Sequence, residues 1–520
     1  MGRMVMIGAG MGAMAAAARL AVAGHRVTVY ERSATYGGAV ERFERDGFVF
    51  DTGPGLLHLP AVYRDLFVKT GKESLERSVE LVQVDPASRH LFADGTDVRL
   101  PNASRAGAVA ALDAALGTGS GERWAEFLGR ARDAWDRSRR PLLEEPLWRD
   151  PRVLGRDPYP AVPRRRLLRS PQRAGTVAEI GAWELGDARL AALLDGCALS
   201  YGLDPRHAPA SAAVLPYLEQ TFGSWYVRGG MRELARAVYE RCLARRVEFV
   251  FGAEVTRIVE KDGAAAGVEL ADGTLVEADA VVAGVAPGRL VAAHPGGSGT
   301  GGDSGGRGDT GAAGAAGEAA VAERDDGSVP GRFTVLLALR GGRDGDAAHR
   351  TVVHSPDGGA EAAAVFGGHP AERPTVTVLR PDDPATRPDG GHEAVTLTAT
   401  VAPHGPVDWS DAALRARYAE VLMSAAEAAV PGLPERLLWH ETRTPADTAA
   451  RTGAEGGSVP PPALAGAEGR LLHPANTTRL PGLHRAGGWA HPGGGLAHAG
   501  MSGALVAGLI VEGPEFRGSQ

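Results

Sequence analysis

Short apolar runs alternate with small-residue and polar breaks from the start of the chain. Val5-Met6-Ile7 is a strand-length apolar run, followed by a glycine-rich break, an alanine-rich helix that Gly24 ends, and a second run, Val27-Thr28-Val29-Tyr30. Val/Ile/Leu strands then keep alternating with Ala/Arg/Leu helices, which predicts an α/β chain. Residues 40–43 and 48–50 form a strand pair. Residues 247–250 begin a sheet that continues through 254–258 and 267–270, with a hairpin turn at Asp272-Gly273. Residues 278–284 predict a strand that returns to the first sheet. Residues 333–339, 375–379 and 394–401 predict strands of a mixed sheet, and 411–430 an amphipathic helix ended by Pro431-Gly432.

Two segments break this pattern. Between Gly296 and Gly317, 11 of 22 residues are glycine, so the segment lacks the apolar surface to offset its ordering entropy, and residues 294–330 read as a flexible surface insertion. Residues 486–511 contain no Asp, Glu, Lys or Arg, yet eight of them are glycine. The apolar part that starts at Leu496 is about 15 residues long, too short for a span of roughly 20.

Composition narrows the partners. The chain has 520 residues and a net charge of -7, which argues against a nucleic-acid partner. Cys197 and Cys242 are its only cysteines and nothing at the N-terminus resembles a cleavable leader, so a reduced cytoplasmic setting is expected. Between Arg137 and Arg173, 11 arginines face four acidic residues, with Leu142, Leu143, Leu147, Trp148, Leu167 and Leu168 interleaved. Either a solvated face or a patch for anionic lipid at the inner face of the cell membrane fits that stretch.

The chemistry begins at the first break, Gly8-Ala9-Gly10-Met11-Gly12-Ala13. Gly8 permits the tight turn, Gly10 lets the backbone approach a pyrophosphate, and Ala13 lets helix and strand pack closely while the helix N-terminus faces the phosphates. Glu31 ends the second strand, 23 residues after Gly8, where a carboxylate accepts hydrogen bonds from a ribose diol and repels the extra phosphate of NADP. Six residues later, Gly37-Gly38 allow a tight pass over a long cofactor, and Asp51-Thr52-Gly53-Pro54 closes the strand pair. Far along the chain, Gly487-Gly488 and Ala490-His491-Pro492-Gly493-Gly494-Gly495 precede a small-residue helix whose N-terminal N–H groups suit a reduced, negatively charged ring.

Together these segments resemble the flavoproteins of the amine oxidase superfamily, and within it the bacterial-type phytoene desaturases, in which a Gly-rich His-Pro-Gly turn before the last helix covers the flavin. Trp225-Tyr226-Val227-Arg228-Gly229-Gly230-Met231 resembles the same family. The resemblance implies a Rossmann-like FAD-binding domain, discontinuous in sequence (1–70, 225–293 and 470–520), beside a substrate domain of mixed sheet plus helices (71–224 and 331–469). FAD would be held by Gly8, Gly10, Gly12, Ala13, Glu31, Arg32, Gly37, Gly38, Val255 beside the adenine, Gly487, Gly488, His491, Pro492, Gly493 and Gly494. Two positions depart from the family: Ala39 stands where arginine usually follows the glycine doublet, and Ala490 where threonine precedes His-Pro-Gly.

The implied reaction is desaturation of a carotenoid precursor by hydride transfer to flavin N5, with an apolar polyene as substrate and a quinone or oxygen as electron acceptor. Residues 190–199 and 214–222 are candidate linings of an apolar channel, and His491 and Glu219 candidate proton acceptors. There is no second strand-linked nucleotide fingerprint and no Cys-x-x-Cys, His-x-x-x-His or Gly-x-Ser-x-Gly, so NADPH shuttling, a zinc site and a serine hydrolase are not expected. A desaturase or isomerase of a hydroxylated carotenoid or other polyene shares nearly every feature. An amine oxidase would need an aromatic cage, for which 6% aromatic content is thin. A flavin or carotenoid carrier without turnover is the non-enzymatic alternative.

Overall fold

The computed structural model describes residues 1–147, 153–162, 172–286, 291–293 and 329–518. At its centre is a five-stranded parallel sheet in the order Leu483–Arg485, Ala280–Ala283, Arg3–Ile7, Arg26–Glu31, Glu248–Phe251. Side chains alternate across it as a strand requires. Met4 and Met6 point into a core with Val27, Val29 and the alanines of helix Met11–Val22, while Val5 and Ile7 point the other way, onto Val255, Ile258, Val268 and Val281. Both faces are thus covered, as a parallel sheet demands.

The strand expected at 278–284 does return to the first sheet, with Met4 opposite Ala280. The strand at 248–251 departs from expectation. It does not begin the sheet of 254–270 but forms the edge of the parallel sheet, with Thr28 opposite Glu248. The reason lies at Gly252, whose positive φ of 67° breaks the strand, after which the Ala253 N–H is tied to the Glu31 carbonyl at 3.0 Å. The redirected chain builds a separate four-stranded sheet from Val255–Lys261, Ala264–Leu270, Leu275–Glu277 and Val291–Ala293.

A seven-stranded sheet forms the second body, in the order Leu437–Arg443, Gly331–Arg340, His392–Val401, Val376–Leu379, Arg350–Val353, Ser88–Leu91, Asp97–Leu100. The strands expected at 333–339, 375–379 and 394–401 all lie in it. One face, with Phe333, Val335, Leu337, Val395 and Leu397, packs on Tyr418 and Leu422 of helix Ala412–Ala426. That helix starts where Asp411 accepts hydrogen bonds from the N–H groups of Ala413 and Leu414, and it ends before the expected Pro431. The opposite face looks toward a helical block whose core joins Trp124 and Phe127 of Ser120–Arg139 to Leu190, Leu193 and Leu194 of Ala188–Ser200 and Leu215 and Leu218 of Val214–Phe222. The leucines of the two candidate channel linings lie in this core.

No helix among the described residues is long and apolar enough to cross a membrane. The glycine-rich insertion lies outside the described residues except for Val329 and Pro330, and so do 148–152 and 163–171 of the basic stretch. Within that stretch Leu142 and Leu143 are buried, so they are not available to lipid.

Candidate active site

Gly8 turns the chain at the end of the first strand: its φ of 88° brings its N–H to the Tyr30 carbonyl at 2.8 Å. Gly10 then starts helix Met11–Val22 with no side-chain cap and no acidic residue in the first turn, so the leading N–H groups and the positive end of the helix dipole stay exposed to a ligand. A methyl group built on Gly10 meets no heavy atom within 4 Å, which makes the space before the helix an open cradle. The glycine doublet bounds it. The Gly37 N–H donates to the Ala9 carbonyl at 2.8 Å, and a methyl on Gly38 would sit 3.1 Å from the Cα of Gly10. Glu31 faces the same loop, its Oε2 accepting from the Ala9 N–H at 2.7 Å and its Oε1 from the Ser33 N–H at 2.8 Å. Arg32 is turned elsewhere, donating to the carbonyls of Ala450 and Arg451 at the end of helix Pro445–Thr452.

The C-terminal motif folds onto this loop. A methyl on Gly12 would lie 2.7 Å from the Cα of Gly487, so two glycines almost the whole chain apart meet backbone to backbone. The Gly487 N–H donates to Ser502 Oγ at 3.0 Å, and a methyl on Gly487 itself meets open space. Ala13 is buried against Gly284. Gly488, Gly493 and Gly494 are packed against residues 460–473, and the Pro492 carbonyl accepts from the Ala463 N–H at 2.9 Å. Val255 is buried beside Val5 and Ile7, two residues beyond the Ala253 link to Glu31.

His491 is fully enclosed. Its Nε2–H donates to the Glu145 carbonyl at 3.0 Å, which leaves Nδ1 as a buried acceptor without a partner. Burial pushes its pKa down to about 4, so the ring is neutral at pH 7. Glu219, the other candidate proton acceptor, is held as the charged partner of an ion pair. Burial alone would raise its carboxyl, but Arg350 at 2.8 Å, with His58 and the Tyr201 hydroxyl at 3.0 Å, holds it down to about 2.

Arg232 escaped the sequence reading, and Asp51 was read there only as the close of the strand pair. Arg232, at the start of helix Arg232–Ala244, donates to the carbonyls of Tyr36 and Val40 and to Thr35 Oγ1, and its guanidinium lies 4.0 Å from the centre of the Tyr36 ring. It braces the glycine doublet that Ala39 leaves without an arginine of its own. Asp51 accepts from the N–H groups of Met231 and Arg232 at 2.8 and 3.4 Å, which anchors the strand pair to the same helix. Next to it, a cavity of about 40 Å³ is lined by Gly53, Gly55, Tyr226, His349, Thr396 and Thr398, where the strand pair meets the open face of the seven-stranded sheet.

An uncapped helix N-terminus, an open glycine cradle, a carboxylate at the end of the second strand and an orphaned buried acceptor on the far loop are the features a flavin dinucleotide would use. The residues present fit it. Comparison with known proteins agrees: the family of flavin containing amine oxidoreductases matches residues 14–294. Over 98% of both chains, this chain is 28% identical to the 4,4'-diapolycopene oxygenase of Methylomonas sp. It is also 28% identical to the hydroxyneurosporene desaturase of Rhodobacter capsulatus, over 98% of this chain and 97% of that one. An oxidoreductase from Methanosarcina mazei shares the fold, with a TM-score of 0.59 at 17% identity over 97% of this chain and 99% of that one.

Proposed function

The chain belongs to the flavin containing amine oxidoreductases, and from that premise we propose that it is an FAD-dependent carotenoid desaturase. The observation that carries the cofactor half is the contact of Gly12 with Gly487, which joins the first and last glycine motifs around one cradle. Gly8, Gly10, Gly12, Gly37 and Gly38 would hold the diphosphate, Glu31 the ribose, Val255 the adenine side, and the turn from Gly487 to Gly494 the ring. The substrate half rests on relatives that match nearly end to end and are named for carotenoids, not amines.

When bound, FAD would supply a two-electron acceptor for a hydride from an allylic carbon of the polyene. The protein's own residues have three tasks. Helix Met11–Val22 offers its free N–H groups to the negative diphosphate. Neutral His491 presents Nδ1 as an acceptor for the proton lost from the neighbouring carbon, with its ring fixed by the Nε2–H bond to Glu145. The packed turn around Gly493 and Gly494 excludes water from the reacting end. A quinone or oxygen would serve as the final electron acceptor. Because an apolar polyene partitions into lipid, the enzyme takes its substrate from the inner face of the cell membrane while staying peripheral to it.

The test is anaerobic incubation of the purified flavoprotein with phytoene in liposomes, following the oxidised-flavin band and the polyene spectrum together. Bleaching with a red-shifted product is expected. A flavin that stays oxidised with every carotenoid offered, but bleaches with an amine, would overturn the reading.

A further inference from the structure

The last helix, Leu496–Glu512, has two packed sides. Ala499 and Gly503 lie against the first glycine motif, since a methyl on Gly12 would meet the Ala499 carbonyl at 2.9 Å and one on Gly503 would strike the Gly12 carbonyl. Ala497 and Met501 belong instead to the core of the helical block. At about 100° per residue, His498 falls between these sides, on the line of Ser502, whose hydroxyl oxygen accepts from the Gly487 N–H. A helical side chain leans toward the start of its helix. His498 does so: its Nδ1 lies 3.4 Å from where a methyl on Gly495, the residue before the helix, would stand. The imidazole therefore hangs in the space before the helix, where the cofactor cradle meets the helical block.

His498 is half-buried, and its ring has no hydrogen-bond partner among the described residues. The titratable groups on the elements packed around the helix are committed elsewhere. The Tyr63 hydroxyl of helix Ala61–Gly71 donates to the Leu496 carbonyl at 2.9 Å. At the turn Arg140–Glu144, Glu144 and Glu145 pair with Arg139 and Arg140, and Arg19, the one charged residue of helix Met11–Val22, pairs with Asp65. His491, on the turn before the helix, is neutral at pH 7. Burial, with His491 as a lesser cause, pushes the His498 pKa down to about 4, and the positive end of the helix disfavours an imidazolium in the same sense. With no negative charge before it, the ring is neutral at pH 7.

We propose that His498 faces the ring of the bound flavin and takes up a proton when that ring is reduced, so that an imidazolium balances the ring's new negative charge. The inference rests on the flavin reading above and deepens it. Two electrons and one proton, the proton at N5, leave the reduced ring with one negative charge. A second proton, from water, adds to an open imidazole nitrogen of His498, and reoxidation of the ring releases it. Only an N–H bond forms and breaks at the histidine. The uncapped N–H groups at the start of the helix stabilise such a charge but cannot cancel it, whereas a proton does. An opposite charge a few ångströms away favours the charged form by about 1–3 in pKa, which carries His498 from about 4 toward 7.

The experiment is an anaerobic redox titration of the flavin-loaded protein against dyes of known potential, from pH 5 to pH 8, beside the variant His498→Gln and with no carotenoid present. Each proton taken up with two electrons changes the reduction equilibrium tenfold per pH unit, or about 30 mV. In the parent the dependence is expected to be about a hundredfold per pH unit near pH 5, or about 59 mV, and to ease to tenfold near pH 8. The absorption spectrum of the reduced flavin should stay the same throughout. The variant should show the tenfold dependence over the whole range, which makes its reduction at pH 5 at least about tenfold less favourable than the parent's. A tenfold dependence already at pH 5 in the parent would overturn the inference and leave the flavin reading standing. So would a variant that keeps the parent's break, or a reduced spectrum that changes at the break, which would put the second proton on the ring itself. A protein that holds no flavin after reconstitution would overturn both.

Discussion

Gly10 and Gly12 sit two residues apart in one loop, but a side chain would meet different things at each. At Gly10 a methyl points into the open cradle, and the backbone φ of -73° suits any residue, so Gly10→Val is expected to leave the folded protein intact. Its far-UV circular dichroism should match the parent, while flavin absorbance after purification falls to near zero. Gly12→Val should instead lower the melting temperature as well, because its side chain collides with Gly487. If Gly10→Val kept its flavin, the cradle would have been placed wrongly. Both glycines, and Glu31, were legible in the sequence, since their spacing encodes a local strand, turn and helix. Arg232 and the anchoring contact of Asp51 were not, because each acts on a partner about 180 residues or more away. Nothing in the spacing of a single chain reports such a contact. Glu219 was legible as a titratable residue in an apolar segment, but Arg350, which fixes its charge, comes from a distant strand.

Among the elements, helices Met11–Val22 and Leu496–Glu512 decide whether the two glycine motifs share a site. They approach closely because small residues face each other: a side chain on Gly503 would strike the Gly12 carbonyl, and come within 2.8 Å of the Ala16 N–H. Gly503→Leu should force the pair apart, at a cost of about 1–3 kcal/mol for overpacking. Since both helix N-termini move with it, chemical denaturation should show the lost stability, and flavin content should fall in parallel. Unchanged stability would mean that the helices do not pack this way. Such elements were readable from sequence where local periodicity suffices, as with the alternating strand at 394–401. The strand at 248–251 was assigned to the wrong sheet because strand pairing is a long-range choice. What decided it was Gly252 together with the hydrogen bond from Ala253 to Glu31. The candidate linings at 190–199 and 214–222 carry leucines that lie in the helical core, and an apolar helix face reads the same in sequence whether it lines a cavity or fills a core.

Across the described residues several titratable groups are buried, and their signs set the response to pH. Burial lowers the pKa of His349, His354, His491 and His498 to about 4, so each favours the folded state fully above pH 6.5 and gives that up as pH falls toward 4. For the two most enclosed, His354 and His491, this amounts to about 3 kcal/mol each. Three carboxyls work in the opposite direction. Burial raises Asp51 and Asp195 to about 6 and Glu361 to about 7, so their contribution is present at low pH and is lost as pH rises through those values. Glu219, held near 2, begins to lose its stabilisation only below its ordinary value of 4.5. The histidines outweigh the three carboxyls, so the melting temperature should fall from pH 6.5 to pH 4.5, and more steeply below that as Glu219 joins. Glu361→Gln isolates one of the opposing groups. The amide mimics the protonated carboxyl, its oxygen accepting from the Thr375 N–H and its NH2 donating to the Thr375 hydroxyl oxygen, so the variant should match the parent near pH 4 and exceed it at pH 8 by up to about 3 kcal/mol. Melting curves of both proteins across that range read the difference directly. A variant less stable than the parent at pH 8 would mean that Glu361 is held as a charge, and that the balance of buried groups has been drawn with the wrong sign.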